Sequence, residues 1–106
     1  MTDYLTIDAL MLRDEKGNFI TFDKEIAELK GKCKVLPIAR GKLRRLLAEH
    51  PEDCDDILIE EHLENPKLTR EQIQDLVPFV RRAIINAITE VSNGYSSEDN
   101  TELKKN

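Results

Sequence analysis

The fold is decided by residues 69–91, which read TREQIQDLVPFVRRAIINAITEV. The first four residues match a capping box, in which the Thr69 hydroxyl accepts from the Gln72 amide and the Gln72 side chain accepts from the Thr69 amide. Pro78 ends the short helix that the box begins, and it suits the first turn of another helix. Apolar residues then recur at three- and four-residue steps as far as Val91, which predicts a long amphipathic helix.

Two more helices are predicted directly upstream. From Ala39 the apolar residues again follow a helical period, and Pro51 ends this helix because the residue before a proline disfavours the helical region. Aspartates open the next helix near Asp53, where carboxylates stabilise the positive N-terminal end. An Asn-Pro pair at residues 65–66 closes it. The chain therefore carries about four short helices in all.

A small β-hairpin is predicted ahead of the helices. Residues 19–22, Phe-Ile-Thr-Phe, are aromatic or β-branched, as strand residues often are. Two apolar runs, 26–29 and 33–36, flank a turn that contains Gly31, and Pro37 stops the ladder because it has no N–H to donate. A lone hairpin is marginal in water, so this one is expected to pack on the helices.

Together the elements predict a mainly helical α+β domain, with about four short helices and a small N-terminal β-hairpin. We place this domain at residues 19–92. Residues 1–18 fit neither the helical nor the strand period, and they predict an extended or loosely helical leader. Residues 93–106 are polar and lack a core pattern, so we expect a disordered tail.

Composition narrows the class of protein. The 106 residues suit one domain, and the net charge of −5 argues against nucleic acid as a partner, since phosphate binding needs a basic surface. No signal-peptide pattern opens the chain, and no run approaches the roughly twenty apolar residues of a membrane helix. Two cysteines do not make a disulfide framework. We therefore expect a cytoplasmic protein without a membrane partner.

The residues offer little for catalysis or metal binding. Cys33, His50, Cys54 and His62 are the only Cys and His residues, and their spacings are longer than those of paired zinc ligands. Two glutamates precede His62, but adjacent residues of a helix do not face each other. No Gly-rich phosphate loop occurs. No catalytic, cofactor-binding or metal-binding residue is therefore predicted.

Opposite charges are sorted into neighbouring segments. Residues 24–49 hold eight Lys or Arg against three Glu, whereas residues 50–64 hold seven acids and no Lys or Arg. The basic cluster comprises Arg40, Lys42, Arg44 and Arg45, and the acidic group comprises Asp53, Asp55, Asp56 and Glu60. Either these are two solvated faces that pair within one molecule, or they are complementary ends that order subunits head to tail in a homo-oligomer.

The last predicted helix has eight apolar residues in the thirteen positions of 79–91. Its apolar arc is therefore wider than the narrow stripe by which two helices pack together. Such an arc is usually core. The alternative is that part of it covers a partner protein. The residues that we assign to this contact are Phe79, Val80, Ile84, Ile88 and Val91.

Four stretches carry a likeness to a known family: ELKGKCKVLPI at 28–38, ILIEEHL at 57–63, NPKLT at 65–69 and AITEVS at 87–92. In their order and character they resemble the small tail assembly chaperones of long-tailed phages and prophages. The resemblance covers about residues 19–92, and it is carried by the order of elements rather than by a catalytic signature.

The resemblance implies a non-enzymatic role in the host cytoplasm. Such chaperones bind the long, largely helical tape measure protein, keep it soluble, help to recruit tail tube subunits, and are absent from the mature virion. No functional residue is carried over, because the family has no defined active site. Two other functions stay open: a small adaptor or regulatory protein-binding domain, and a helical nucleic-acid-binding module that uses residues 40–45 and 81–82.

Overall fold

We describe a computed structural model of the chain, which covers residues 4–94. Those residues form a mixed α+β domain with five α-helices and one three-stranded antiparallel sheet of order β1-β2-β3. In chain order the elements are α1 (Ile7–Leu10), β1 (Phe22–Ile26), β2 (Gly31–Val35), α2 (Arg40–Glu49), α3 (Cys54–His62), β3 (Leu63–Asn65), α4 (Arg70–Gln74) and α5 (Pro78–Ser92). A single 3-10 turn, Ala27–Leu29, joins β1 to β2.

Two predictions about these elements are wrong. The hairpin is not N-terminal, because residues 4–21 precede it, and β1 begins at Phe22 rather than at Phe19. The sequence pattern obscures β1 because three of its five residues are charged and alternate between solvent and core. The helix count is five rather than about four, since the Thr6 hydroxyl accepts from the Ala9 amide at 3.0 Å and caps the single turn of α1.

The hairpin itself is confirmed, with a turn that differs in detail. Strands β1 and β2 pair from Phe22 opposite Val35 to Ile26 opposite Gly31. The residue with a left-handed backbone is Lys30, at φ 56°, and Gly31 belongs to the strand. The 3-10 turn takes up the residues that the sequence pattern assigns to the end of the first strand.

The third strand is a further element that the sequence does not predict. Residues 63–65 leave α3 and pair with β2, with Val35 opposite Leu63 and an irregularity beside Lys34. The Leu36 N–H donates to the carbonyl oxygen of His62 at 2.8 Å, which ends the helix against the sheet. Because these bonds join distant parts of the chain, local pattern carries no sign of them.

Helices α2 to α5 follow the predicted order. Helix α2 ends at Glu49, directly before His50 and Pro51, and α3 begins directly after Asp53. The capping box is confirmed: Gln72 N–H donates to the Thr69 hydroxyl at 3.2 Å, and Thr69 N–H donates to the Gln72 side-chain oxygen at 2.9 Å. Pro78 occupies the first turn of α5, as predicted.

The core lies between the sheet and helices α3, α4 and α5. Its fully buried side chains are Val35, Ile59, Leu63, Ile73 and Ile88. A smaller cluster joins α2 to α3 through Leu46, Cys54 and Ile57. Helix α5 supplies the central face of the main cluster, so burial of that helix holds the hairpin against the helical part.

The chain ends are only partly described. Residues 1–3 of the predicted leader and residues 95–106 of the predicted tail lie outside the described residues. Asn93 and Gly94 follow α5, and Gly94 has a positive φ of 93°. None of the helices within residues 4–94 has the length and apolar character needed to cross a bilayer.

Candidate protein-binding surface

Exposed apolar side chains gather where α4 turns into α5. We call residues 76–80 the elbow. Val77 and Phe79 flank Pro78 and are each 52% exposed, while Leu76 and Val80 are half-buried against the main core. Val77 is the extended N-cap of α5 and Pro78 is its first residue, so the chain leaves the helical conformation between α4 and α5. Both neighbours of the proline are exposed to solvent at this break.

An apolar cavity of about 250 Å³, which we call the groove, lies beside the elbow. It separates the hairpin turn from the loop after β3 and from the start of α5. Its lining comprises Ile26, Leu29, Gly31, Lys32, Cys33, Leu63, Pro66, Leu68, Leu76, Val80 and Ile84. Lys32 is the only charged side chain among them, and Leu29 at one edge is 43% exposed. The groove is therefore open to solvent and almost wholly apolar.

A second exposed apolar region is the N-terminal segment, residues 4–20, which we call the arm. Its exposed large apolar residues are Tyr4, Leu5, Ile7, Leu10, Met11, Leu12, Phe19 and Ile20. Helix α1 buries none of its residues. The arm is held by its own bonds instead: Ile20 N–H donates to Leu12 O at 2.7 Å, and Arg13 pairs with Phe19 in a β-bridge.

The apolar residues that we assigned to partner contact divide into two groups. Phe79 is exposed, and Val80 and Ile84 line the groove, although the Ile84 side chain is itself mostly buried. Ile88 and Val91 are buried in the main core and do not line the groove. We leave these two out of the proposed surface, because a partner could reach them only by displacing the core.

The basic cluster on α2 is largely unpaired. Lys42 is the exception, since its Nζ lies 2.7 Å from Glu61 Oε1, and this bond holds the pKa of Glu61 below its ordinary value. Arg40, Arg44 and Arg45 are exposed and form no ion pair with any residue between 4 and 94. A positive face is therefore available on α2.

The acidic group is mostly neutralised within the molecule. Arg70 Nη2 lies 2.9 Å from Glu60 Oε1, and the Arg70 side chain also approaches Asp53 at 4.0 Å. The hydrogen bond that Arg70 donates to the Glu60 carboxylate raises the pKa of Arg70. Asp56 pairs with Arg81 of α5, whereas Asp55 is exposed and has no ion pair among the described residues. The acidic group thus pairs with arginines of α4 and α5 rather than with the basic cluster of α2, from which Lys42 alone pairs, with Glu61, among the residues that the structure describes.

The buried titratable groups are structural in their geometry. Burial lowers the pKa of His62, and its Nδ1–H donates to Leu36 O at 2.8 Å. Burial raises the pKa of Cys33 and of Cys54, so both are thiols at neutral pH. Between residues 4 and 94 no three or more His, Cys, Asp or Glu side chains are placed together to hold a metal ion.

Of the apolar residues assigned to partner contact, Phe79 lies in the elbow and Val80 and Ile84 line the groove, while the rest of the candidate surface was not predicted. The groove joins three segments that are far apart in the chain, so no local pattern marks Leu29, Pro66 and Leu68 as neighbours. The sequence of the arm did indicate its exposure. Its apolar residues fit neither the helical nor the strand period, so they predict no face that packs on the core. Comparisons with protein-family models, with curated proteins and with solved structures find no match for this chain.

Proposed function

We propose that this protein is a non-enzymatic tail assembly chaperone, which holds an apolar helical segment of the tape measure protein in the groove and against the elbow. The observation that supports the proposal is the amount of apolar surface that the folded domain leaves open. Monomeric proteins seldom expose large contiguous apolar patches, and those that occur are commonly binding sites. The groove and the elbow share Leu76 and Val80, and so they form one continuous surface.

The surface suits a partner that must be covered and later released. A helix that lays its apolar face into a groove is a common mode of recognition. Area alone does not fix affinity, and a small apolar centre with a charged rim permits exchange. A client of this kind exposes apolar helical surface before the tail tube encloses it. We assign the positive face of α2, at Arg40, Arg44 and Arg45, to a separate acidic contact, for which tail tube subunits are candidates.

Co-expression with the tape measure protein of the same genome tests the proposal. The chaperone is expected to raise the soluble yield of that protein and to co-purify with it. Phe79→Asp is expected to abolish both effects, because it places a carboxylate in the elbow, beside the apolar groove. The matched control is Leu47→Asp on α2, since Leu47 is 56% exposed and lies outside both the groove and the elbow. If neither effect appears, or if Leu47→Asp removes them equally, the proposal is wrong.

The nucleic-acid reading has one observation in its favour, the unpaired arginines of α2. It predicts binding of duplex DNA that weakens steeply with salt. Absence of binding at low salt removes this function and leaves the positive face to a protein partner.

A further inference from the structure

We propose that the groove of one copy is occupied by the arm of a second copy, so that the chain self-associates head to tail. The apolar residues of α1 and its C-cap have the spacing that a groove requires. Ile7, Leu10 and the C-cap Met11 fall at positions i, i+3 and i+4, which lie on one helical face. Ile7 is 73% exposed and Leu10 is 65% exposed. Leu10 and Met11 also line a cavity shared with residues 36–39 of their own copy, so this face is only partly covered within one copy.

The arm and the groove lie at opposite ends of the same hairpin. The arm enters β1 at Phe22, which is paired with Val35, whereas the groove is lined by Ile26 and Gly31 at the far end of the ladder. At about 3.4 Å per residue, the strand separates the two ends by roughly 14 Å. Helix α5 shows the same order: Ser92 lines a cavity beside the arm, and Val80 and Ile84 line the groove.

No arm residue lines the groove of its own copy. The groove is therefore not filled by the arm of its own molecule and is available to the arm of another. A contact between two different patches of the same chain is heterologous, and it builds a ring if the rotation closes or an open filament if it does not.

Charge is complementary between the groove and the first part of the arm, residues 4–12, whereas residues 13–16 of the arm are all charged. The only charged residue from Tyr4 to Leu12 is Asp8, and the only charged residue lining the groove is Lys32. Asp8 lies 3.3 Å from Arg13, and Lys32 lies 3.7 Å from Asp23. Both pairs are at the surface, where ion pairs contribute little, so both charges are free to exchange partners on docking.

This inference does not require a client. If the proposed function also holds, self-association and client binding would exclude each other, because both would use the same groove.

The test is the mass of the full chain in solution, by light scattering over a range of protein concentrations and without any client. The wild type is expected to exceed the 12.2 kDa of one chain increasingly with concentration. An arm variant, Ile7→Asp with Leu10→Asp, and a groove variant, Leu29→Glu, are each expected to stay at one chain. All three changed residues are exposed, and circular dichroism checks that the variants fold.

Mixing the two variants gives the sharpest outcome. The arm variant keeps an intact groove and the groove variant keeps an intact arm, so an equal mixture is expected to form a pair of chains and nothing larger. Leu47→Asp should associate like the wild type. A charge exchange gives a second route: Asp8→Lys and Lys32→Glu should each weaken association, and the double variant should restore it.

A wild type that stays at one chain at every concentration overturns the proposal. So does a mixture of the two variants that remains at one chain while both are folded. Neither result bears on tape measure binding, which is measured separately by co-purification, so the two proposals fail independently.

Discussion

Truncation of Phe79 to Ala tests the proposed role of the elbow in client binding. The side chain lies in the elbow and is 52% exposed. A Phe side chain buries on the order of 200 Å² when fully covered, so roughly 100 Å² remains for a partner to cover. At about 25 cal/mol per Å² this area contributes about 2.5 kcal/mol to client binding.

That contribution corresponds to a change in Kd of up to about 60-fold, since about 1.4 kcal/mol is tenfold. Because Ala keeps the first carbon of the side chain and part of the contact, we expect Phe79→Ala to weaken client binding by about 10- to 60-fold. The buried half of Phe79 also supports the fold, so some loss of stability accompanies the loss of binding.

Isothermal titration of the tape measure client into wild type, Phe79→Ala and Leu47→Ala measures the effect, at a temperature where all three are folded. Leu47 is 56% exposed, so its truncation removes a comparable share of apolar surface at a site outside the elbow. Binding by Leu47→Ala should match that of the wild type. Equal affinities for Phe79→Ala and wild type would refute the assignment of the elbow to client binding.

Three further predictions concern the fold. Ile88 is fully buried, so Ile88→Ala should lower the free energy of unfolding by about 2–5 kcal/mol in urea titrations, and a loss below about 1 kcal/mol would contradict its place in the core. Thr69→Ala removes the capping hydroxyl of α4 and should cost about 0.5–2 kcal/mol in the same assay, whereas Thr69→Ser should restore most of the loss. The pKa of His62 lies below its ordinary value of 6.5 in the folded state, so the unfolded chain takes up a proton first as the pH falls. Stability should therefore decline as the pH falls through about 6.5 and level off below the folded pKa, and His62→Asn should flatten that part of the pH profile. An unchanged pH profile in His62→Asn would show that this imidazole does not carry the effect.

Local signals in the sequence predicted the helical half of the fold well. The capping box of Thr69 and Gln72, the proline at the start of α5 and the stop at Pro51 act within a few residues of themselves. They therefore appear in the sequence as they appear in the structure. Their physical effects need no knowledge of the rest of the fold.

Elements that depend on tertiary contacts were predicted less well. Strand β3 exists because β2 is beside it, and β1 tolerates Lys24 in the core because its Nζ lies 2.7 Å from Glu90 of α5. Residue types alone predict neither the pairing of β3 with β2 nor the ion pair of Lys24 with Glu90. The ion pairs of Arg70 with Glu60 and Asp53 likewise join two helices, so the acidic group could not be recognised in advance as neutralised.

The apolar arc of α5 shows why the candidate site was only partly predicted. Ile84, Ile88 and Phe79 are alike in the sequence pattern, but the first two are buried and the third is exposed. Periodicity identifies an apolar face and does not say what covers it. The groove needed coordinates for the same reason, because it joins the hairpin turn to the elbow.

Hydrogen–deuterium exchange of the full chain, with and without the tape measure client, tests the central claim most directly. We expect the client to slow amide exchange at the groove and elbow, over residues 28–33 and 76–80. In the same complex, the exchange rates of α2 should be unchanged. Protection confined to the basic face at 40–45, or no protection at the groove in a complex that forms, would contradict it.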